Sequence, residues 1–151
     1  MRIRTLLNDC QKFKSFVYQK EYTEMINGKL ALIIEIAERK NSRPLCSCCE
    51  RVCSQYDRVL KSRDDQFIPL WGYQVYFRYR RRRVNCSTCG IKVEQVPWTQ
   101  GKQKLTDAFK IYLAQWARRL SWKEVAEVFH TSWYGKPQGM RVRSCSVLNF
   151  T

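Results

Sequence analysis

Two Cys-x-x-Cys pairs, Cys46-Ser47-Cys48-Cys49 and Cys86-Ser87-Thr88-Cys89, constrain this chain more than any other feature. A pair at this spacing presents two thiolates on one tight turn, and two pairs supply the four sulfurs of a tetrahedral structural zinc site. Cys46, Cys49, Cys86 and Cys89 are therefore the expected ligands of one Zn2+. Gly90 follows the second pair, where a knuckle often needs positive φ; the first pair has Glu50 there. Cys48 and Cys53 lie close enough to the first pair to substitute as ligands. Cys10 and Cys145 are isolated and read as small apolar residues. Disulfides suit a secreted protein, but Met1–Cys10 bears arginine and has no apolar signal core. A thioredoxin-like redox pair wants a βαβ setting, whereas these pairs are flanked by strand-like sequence.

The 151 residues allow one ordinary domain or two small units, and 44% apolar content suffices for a core. The longest aliphatic run, Leu30–Ile34, is far too short to span a bilayer. A soluble protein of a reducing, cytoplasmic compartment is expected. The net charge of +15, from 28 Lys and Arg against 13 Asp and Glu, calls for a polyanionic partner. Nucleic acid comes first and an anionic membrane surface second. No basic amphipathic helix at a terminus supports the membrane.

The overall pattern predicts an α+β chain. In residues 1–43, Phe16, Tyr18, Tyr22 and Ile26 lead to Asn27-Gly28, and Leu30, Leu32, Ile34 and Ile36 follow at period two. That is a β-hairpin with a positive-φ turn, read as a packing platform. A polar linker, Glu38–Pro44, precedes a zinc-ribbon-like unit over 44–98. Within it, Tyr56–Leu60 and Phe67–Trp71 read as short strands and Tyr73–Val84 as one longer strand. A unit this small leans on its metal for stability. The long strand runs into Arg80, Arg81, Arg82 and Arg83. Alternation along a strand sends Arg80 and Arg82 to one side and Arg81 and Arg83 to the other. The run reads either as phosphate contact or as a solvated edge that discourages sheet pairing.

After a Pro- and Gly-punctuated connector, the period changes from two to about 3.6. Leu105, Phe109, Tyr112, Trp116 and Leu120 mark an amphipathic helix over Thr106–Arg119. Ser121-Trp122-Lys123-Glu124 is a capping box for a second helix. His130-Thr131-Ser132 reads as a turn, with the histidine a turn residue and not a ligand. A short helix, a turn and a new cap begin a helix-turn-helix over 105–133. Gly135, Pro137 and Gly139 interrupt the helix that should follow, and 134–151 reads as an irregular tail. Arg80, Arg81, Arg82, Arg83, Lys102, Lys104, Arg118, Arg119 and Lys123 are the expected DNA-binding residues.

Specific stretches resemble the N-terminal region of bacterial insertion-sequence transposases of the ISL-three type. They are Lys14–Tyr18, Arg43–Cys49, Pro69–Gly72, Arg82–Gly90, Val96–Trp98 and Leu120–Phe129, so the likeness spans roughly Thr5 to Trp133. The resemblance implies an N-terminal zinc-binding domain, with ligands at Cys46, Cys49, Cys86 and Cys89, then a helix-turn-helix, then a catalytic domain with acidic metal ligands. It further implies recognition of the terminal inverted repeats of the element. The likeness stops near Trp133, so a C-terminally truncated fragment is expected, either a broken copy or a short product that represses transposition. Such a fragment binds double-stranded DNA at element ends, alone or associated with itself or a full-length transposase. It is no enzyme, because two-metal strand transfer needs clustered carboxylates and the acids here are scattered. The alternative is a stand-alone zinc-ribbon module that contacts nucleic acid or protein. A redox or hydrolytic enzyme is disfavoured by one histidine and no nucleophile motif.

Overall fold

The computed structural model describes residues 2–131, which form three helices and seven strands in two sheets. Helix α1 (Ile3–Cys10) leads into β1 (Phe16–Ile26) and β2 (Lys29–Glu38). These pair antiparallel around Asn27 and Gly28, whose φ values of 50° and 75° suit the two-residue hairpin turn. Strands β4 (Arg63–Leu70) and β5 (Tyr73–Tyr79) form a second hairpin around Trp71 and Gly72, at φ 49° and 80°. The two hairpins join through parallel pairing of β2 with β5, giving the order β1-β2-β5-β4. Parallel neighbours need a crossover connection. Here that crossover carries the first cysteine pair and β3 (Ser54–Arg58).

β3, β6 (Arg82–Cys86) and β7 (Gly90–Val93) make a separate antiparallel sheet in the order β3-β6-β7. Two expectations change. The strand expected over Tyr73–Val84 is two strands, broken at Arg80 and Arg81 and shared between the sheets. The strand expected over Phe67–Trp71 is part of the β4–β5 hairpin, which leaves the cysteine unit to extend the N-terminal sheet across residue 43. The physical reason is apolar. Phe67, Val75, Phe77 and Tyr79 share one buried cluster with Phe16, Tyr18, Leu32, Ile34 and Ile36. The small cysteine unit offers only Cys46, Cys53, Val84 and Cys86 as buried partners.

Trp98 lies at the centre of the main core, fully buried against Phe13, Phe16 and Tyr79 at ring separations of 5.0–5.5 Å. Its Nε1 donates to Asp65 Oδ2 at 3.0 Å, so the indole is apolar on its faces and satisfied at its edge. Beyond it, the connector runs along the outer edge of β4. Gln66 N donates to Lys104 O at 2.7 Å, and Thr106 N donates to Gln66 O at 2.9 Å. That pairing covers an edge that would otherwise template association. It also seats α2 (Asp107–Trp116), whose Thr106 cap accepts from Phe109 N. Helix α3 (Trp122–Phe129) begins at the expected capping box, with the Ser121 and Glu124 bonds both made. Phe109, Leu113 and Val125 pack the two helices together.

The sheets meet at Glu94. This buried carboxylate accepts from Tyr79 Oη at 2.6 Å, Arg82 N at 2.7 Å and Arg82 Nε at 2.9 Å. Arg82 Nη1 continues to Ser42 O at 3.1 Å. The Arg82 and Glu94 side chains are 4% and 0% exposed. Removing one member of a buried pair strands the other's charge, at a cost of ~3–5 kcal/mol. Glu94→Ala should therefore lose stability on that scale in urea denaturation. Arg83→Ala, which breaks the exposed outer pair to Asp57, should lose far less. Equal losses would remove Glu94 from its place at the junction.

Candidate metal centre and nucleic-acid interface

Each cysteine pair sits on a turn closed by backbone hydrogen bonds. In the first, Glu50 N donates to Cys46 O and Cys46 N donates to Arg51 O, both at 2.9 Å. In the second, Cys86 pairs with Gly90 across the β6–β7 turn. The residue after each pair is left-handed, Glu50 at φ 59° and Gly90 at φ 74°. Glu50 thus does what glycine does in the second turn, at a steric cost that glycine avoids. The sequence hid this equivalence because Glu is an uncommon residue at positive φ.

The two turns bring Cys46, Cys49, Cys86 and Cys89 together, with all four Sγ atoms within 4.8 Å of one another. Cys49 Sγ and Cys86 Sγ are 3.5 Å apart. An ion with Zn–S bonds of about 2.3 Å needs tetrahedron edges of about 3.8 Å, so only small adjustments separate this quartet from a coordination shell. Cys46 and Cys86 are buried, while Cys49 and Cys89 are half-buried. The backbone amides of Cys89 and Thr88 bring the Cys86 thiol down to about 6. Those of Cys49 and Cys48 lower Cys46. Each turn thus stabilises the thiolate form of its first cysteine, the form that binds metal. Cys89 is pushed up by the Cys48 and Cys49 thiols and by burial.

Of the two substitutes the sequence allowed, Cys48 is exposed. Cys53 is buried beside the quartet, and its thiol donates to Arg51 O at 3.3 Å. Neither joins the group of mutually close ligand atoms. Cys10 is exposed on α1 and apart from the quartet, and Cys145 lies outside the described residues.

The arginine run, expected to divide between two faces and to contact phosphate or form a solvated edge, is largely internal. Arg82 is spent on Glu94 and Ser42, as above. Arg81 is 12% exposed and approaches Asp65 Oδ2 at 3.5 Å. Arg83 pairs with Asp57 and lies over the Tyr56 ring at 5.8 Å. Arg80 is exposed, though its Nε donates to Val59 O at 2.6 Å. The alternation argument failed because the chain changes sheets at Arg80 and Arg81, and simple alternation holds only within one regular strand. Lys102, Lys104, Arg118, Arg119 and Lys123 are all exposed, on the connector, the α2–α3 turn and α3. His130 caps α3 in a left-handed conformation and meets Lys29 Nζ at 3.0 Å. The helix expected from Ser132 onward, with Gly135, Pro137 and Gly139, lies outside the described residues. No described helix is long and apolar enough to cross a membrane.

The chain is similar to curated transposases. It is 29% identical over 93 residues to the transposase for insertion sequence element IS1001 of Bordetella parapertussis, covering 60% of this chain and 22% of that one. It is 32% identical over 88 residues to the transposase for insertion sequence element IS1557 of Mycobacterium tuberculosis, covering 58% of this chain and 20% of that one. The chain thus spans about a fifth of the length of the relatives it matches. No protein-family model matches it, and no solved structure does.

The two turns make opposite predictions under substitution. Glu50→Gly should stabilise the metal-loaded protein by up to ~1 kcal/mol, through relief of the left-handed cost. Gly90→Ala should destabilise it by about 1 kcal/mol; an added Cβ meets nothing within 4 Å, so only the backbone term acts. Thermal melts of both variants at saturating metal measure the two signs.

Proposed function

We propose that this chain is a DNA-binding segment of a transposase, folded around one structural Zn2+ on Cys46, Cys49, Cys86 and Cys89. The observation that carries the reading is the transposase similarity over 58–60% of the chain. The cysteine quartet and the net charge of +15 support it. The closed four-sulfur set has no open position for substrate, which fits a structural ion rather than a catalytic one. β3, β6 and β7 with their two cysteine turns make a zinc-ribbon-like unit. α2 and α3 serve as the first two helices of a helix-turn-helix. The duplex lies along Arg80, Lys102, Lys104, Arg118, Arg119 and Lys123, and the target is the terminal repeats of an insertion element.

This segment performs no strand transfer by itself. Two-metal chemistry needs carboxylates gathered on one site. Among the described residues, the group of three or more side chains able to hold an ion is the cysteine quartet. The acids are distributed instead over ion pairs with Arg4, Arg58, Arg63, Arg78, Arg82 and Arg83. A second reading, a protein-interaction module, draws on Trp71, which is 77% exposed at the β4–β5 tip with Tyr73, Leu30 and Met25 also exposed.

Three measurements follow from the proposal. Protein purified under reducing conditions should carry one zinc per chain. Cys49→Ala or Cys86→Ala should abolish hydrogen-exchange protection in β3, β6 and β7, while β1, β2, β4 and β5 keep theirs, because the larger sheet owns most of the apolar core. Metal-free protein with full protection would refute the structural ion. On duplex DNA, Arg118→Gln with Arg119→Gln should weaken binding on any sequence and reduce the salt slope by about 2, near 0.9 per phosphate contact. An unchanged slope would take these arginines off the backbone.

A further inference from the structure

A cleft of about 750 Å³ opens between the cysteine unit and the connector. Lys61, Arg63, Arg81, Lys92 and Lys102 line it, with Glu50 and Glu94 as the acids. Glu94 is already paired with Arg82, and its charge is the smallest of the influences on Arg81. None of the cleft lysines makes an ion pair among the described residues.

Arg81 is the informative member. Its Nη2 is buried and makes no hydrogen bond. The nearest carboxylate, Asp65, lies at 3.5 Å and is already engaged. Asp65 Oδ1 accepts from Arg63 Nε at 2.8 Å, and Oδ2 accepts from Trp98 Nε1 at 3.0 Å. One negative charge therefore faces two guanidinium groups. Burial and the Arg63 charge both act against the protonated form of Arg81, as expected where positive charge is left uncompensated. An unsatisfied buried donor is rare, and it calls for a partner. An anion with several acceptor oxygens, reached from the cleft, would supply both the acceptor and the missing negative charge. Phosphate fits, because arginine presents a planar fork and lysines supply point charges around it.

We propose that this cleft is a phosphate-binding subsite, occupied by a backbone phosphate of the bound DNA. It rests on the DNA-binding reading for the source of the phosphate and on the cleft alone for the chemistry. No local signal in the sequence points to it. Lys61 lies just before β4, Arg63 on β4, Arg81 in the β5–β6 break and Lys92 on β7, and only the fold gathers them.

The test uses the full chain with its metal. Inorganic pyrophosphate and a short DNA duplex are titrated separately, and pyrophosphate is then used as competitor. The variants are Lys61→Gln with Lys102→Gln, and Arg81→Gln; Lys12→Gln with Lys20→Gln, exposed and outside the cleft, is the charge-matched control. Circular dichroism melts identify any variant that fails to fold, and the lysine pair keeps the test valid should Arg81→Gln be one. The expected result is that pyrophosphate competes with duplex. The cleft lysine pair should weaken both ligands about tenfold, and the control should change neither by more than twofold. Duplex binding that the cleft variants leave intact would overturn the subsite while leaving the DNA-binding reading standing. Pyrophosphate binding lost in the cleft variants, with no duplex binding by the parent, would keep the oxyanion chemistry but overturn a DNA source and the DNA-binding reading with it. Binding of neither ligand overturns both.

Discussion

The carboxylate of Glu94 holds the two halves of this protein in one arrangement. Its oxygens take the hydroxyl of Tyr79 from the larger sheet and the backbone and guanidinium of Arg82 from the smaller one. Its backbone also pairs with Cys46 in the first cysteine turn. A buried charge of this kind adds little net stability against an apolar substitute of similar shape. What it adds is direction, since a carboxylate with fixed donors on two sheets tolerates one corner geometry. The break at Arg80 and Arg81 is where that corner forms. The chain leaves one sheet at Tyr79 and enters the other at Arg82, and both flanking residues bind the same carboxylate.

That corner explains how so small a cysteine unit is held in register. Its own apolar complement is thin, with Val84 packed among Cys46, Cys53 and Cys86. A unit with so little core depends on its attachments. Glu94 fixes one attachment to the larger core, and Gln95 N, which donates to Leu45 O at 2.9 Å, fixes the chain beside the first turn. The second turn, on β6 and β7, meets the first through the pairing of β3 with β6, the Arg51–Thr88 hydrogen bond at 3.1 Å and the ties at residues 94 and 95. The quartet geometry is thus built largely by the protein's own backbone pairing.

Much of this was legible in the sequence. The Asn27-Gly28 hairpin, the Ser121 capping box and the four cysteines rest on short-range chemistry, and each occurs at its expected residues. The parallel pairing of β2 with β5 was not legible, because it joins segments with no local signal for each other. β2 buries Ala31, Leu32, Ile33 and Ile34 in succession, so it lacks the alternation of a half-exposed strand. Read back, that run marks a central strand with neighbours on both sides. The role of Trp98 was equally hidden, since it sits in a stretch punctuated by Pro and Gly that reads as connector, yet it fills the middle of the core.

The distribution of charge supplies the remaining step. Arginine and lysine divide the work here. Arg4, Arg58, Arg63, Arg78, Arg82 and Arg83 all lie in ion pairs, while Arg81 shares Asp65 with Arg63. Arg78 alone ties Glu24 and Asp64 across the sheet. Lys110, bound to Asp107, is the lysine so engaged among the described residues. The planar guanidinium suits bonds within a folded surface, whereas the ammonium is strongly hydrated and stays in water. The sequence shows the arginine run as the obvious candidate for a polyanion, because four adjacent cations are conspicuous. In the fold much of that run is neutralised internally, and the uncompensated charge sits on dispersed lysines, on the Arg118–Arg119 turn and on Arg81, which shares one carboxylate with Arg63. A polyanion responds to the field that remains after internal pairing, not to the density of positive letters in the sequence.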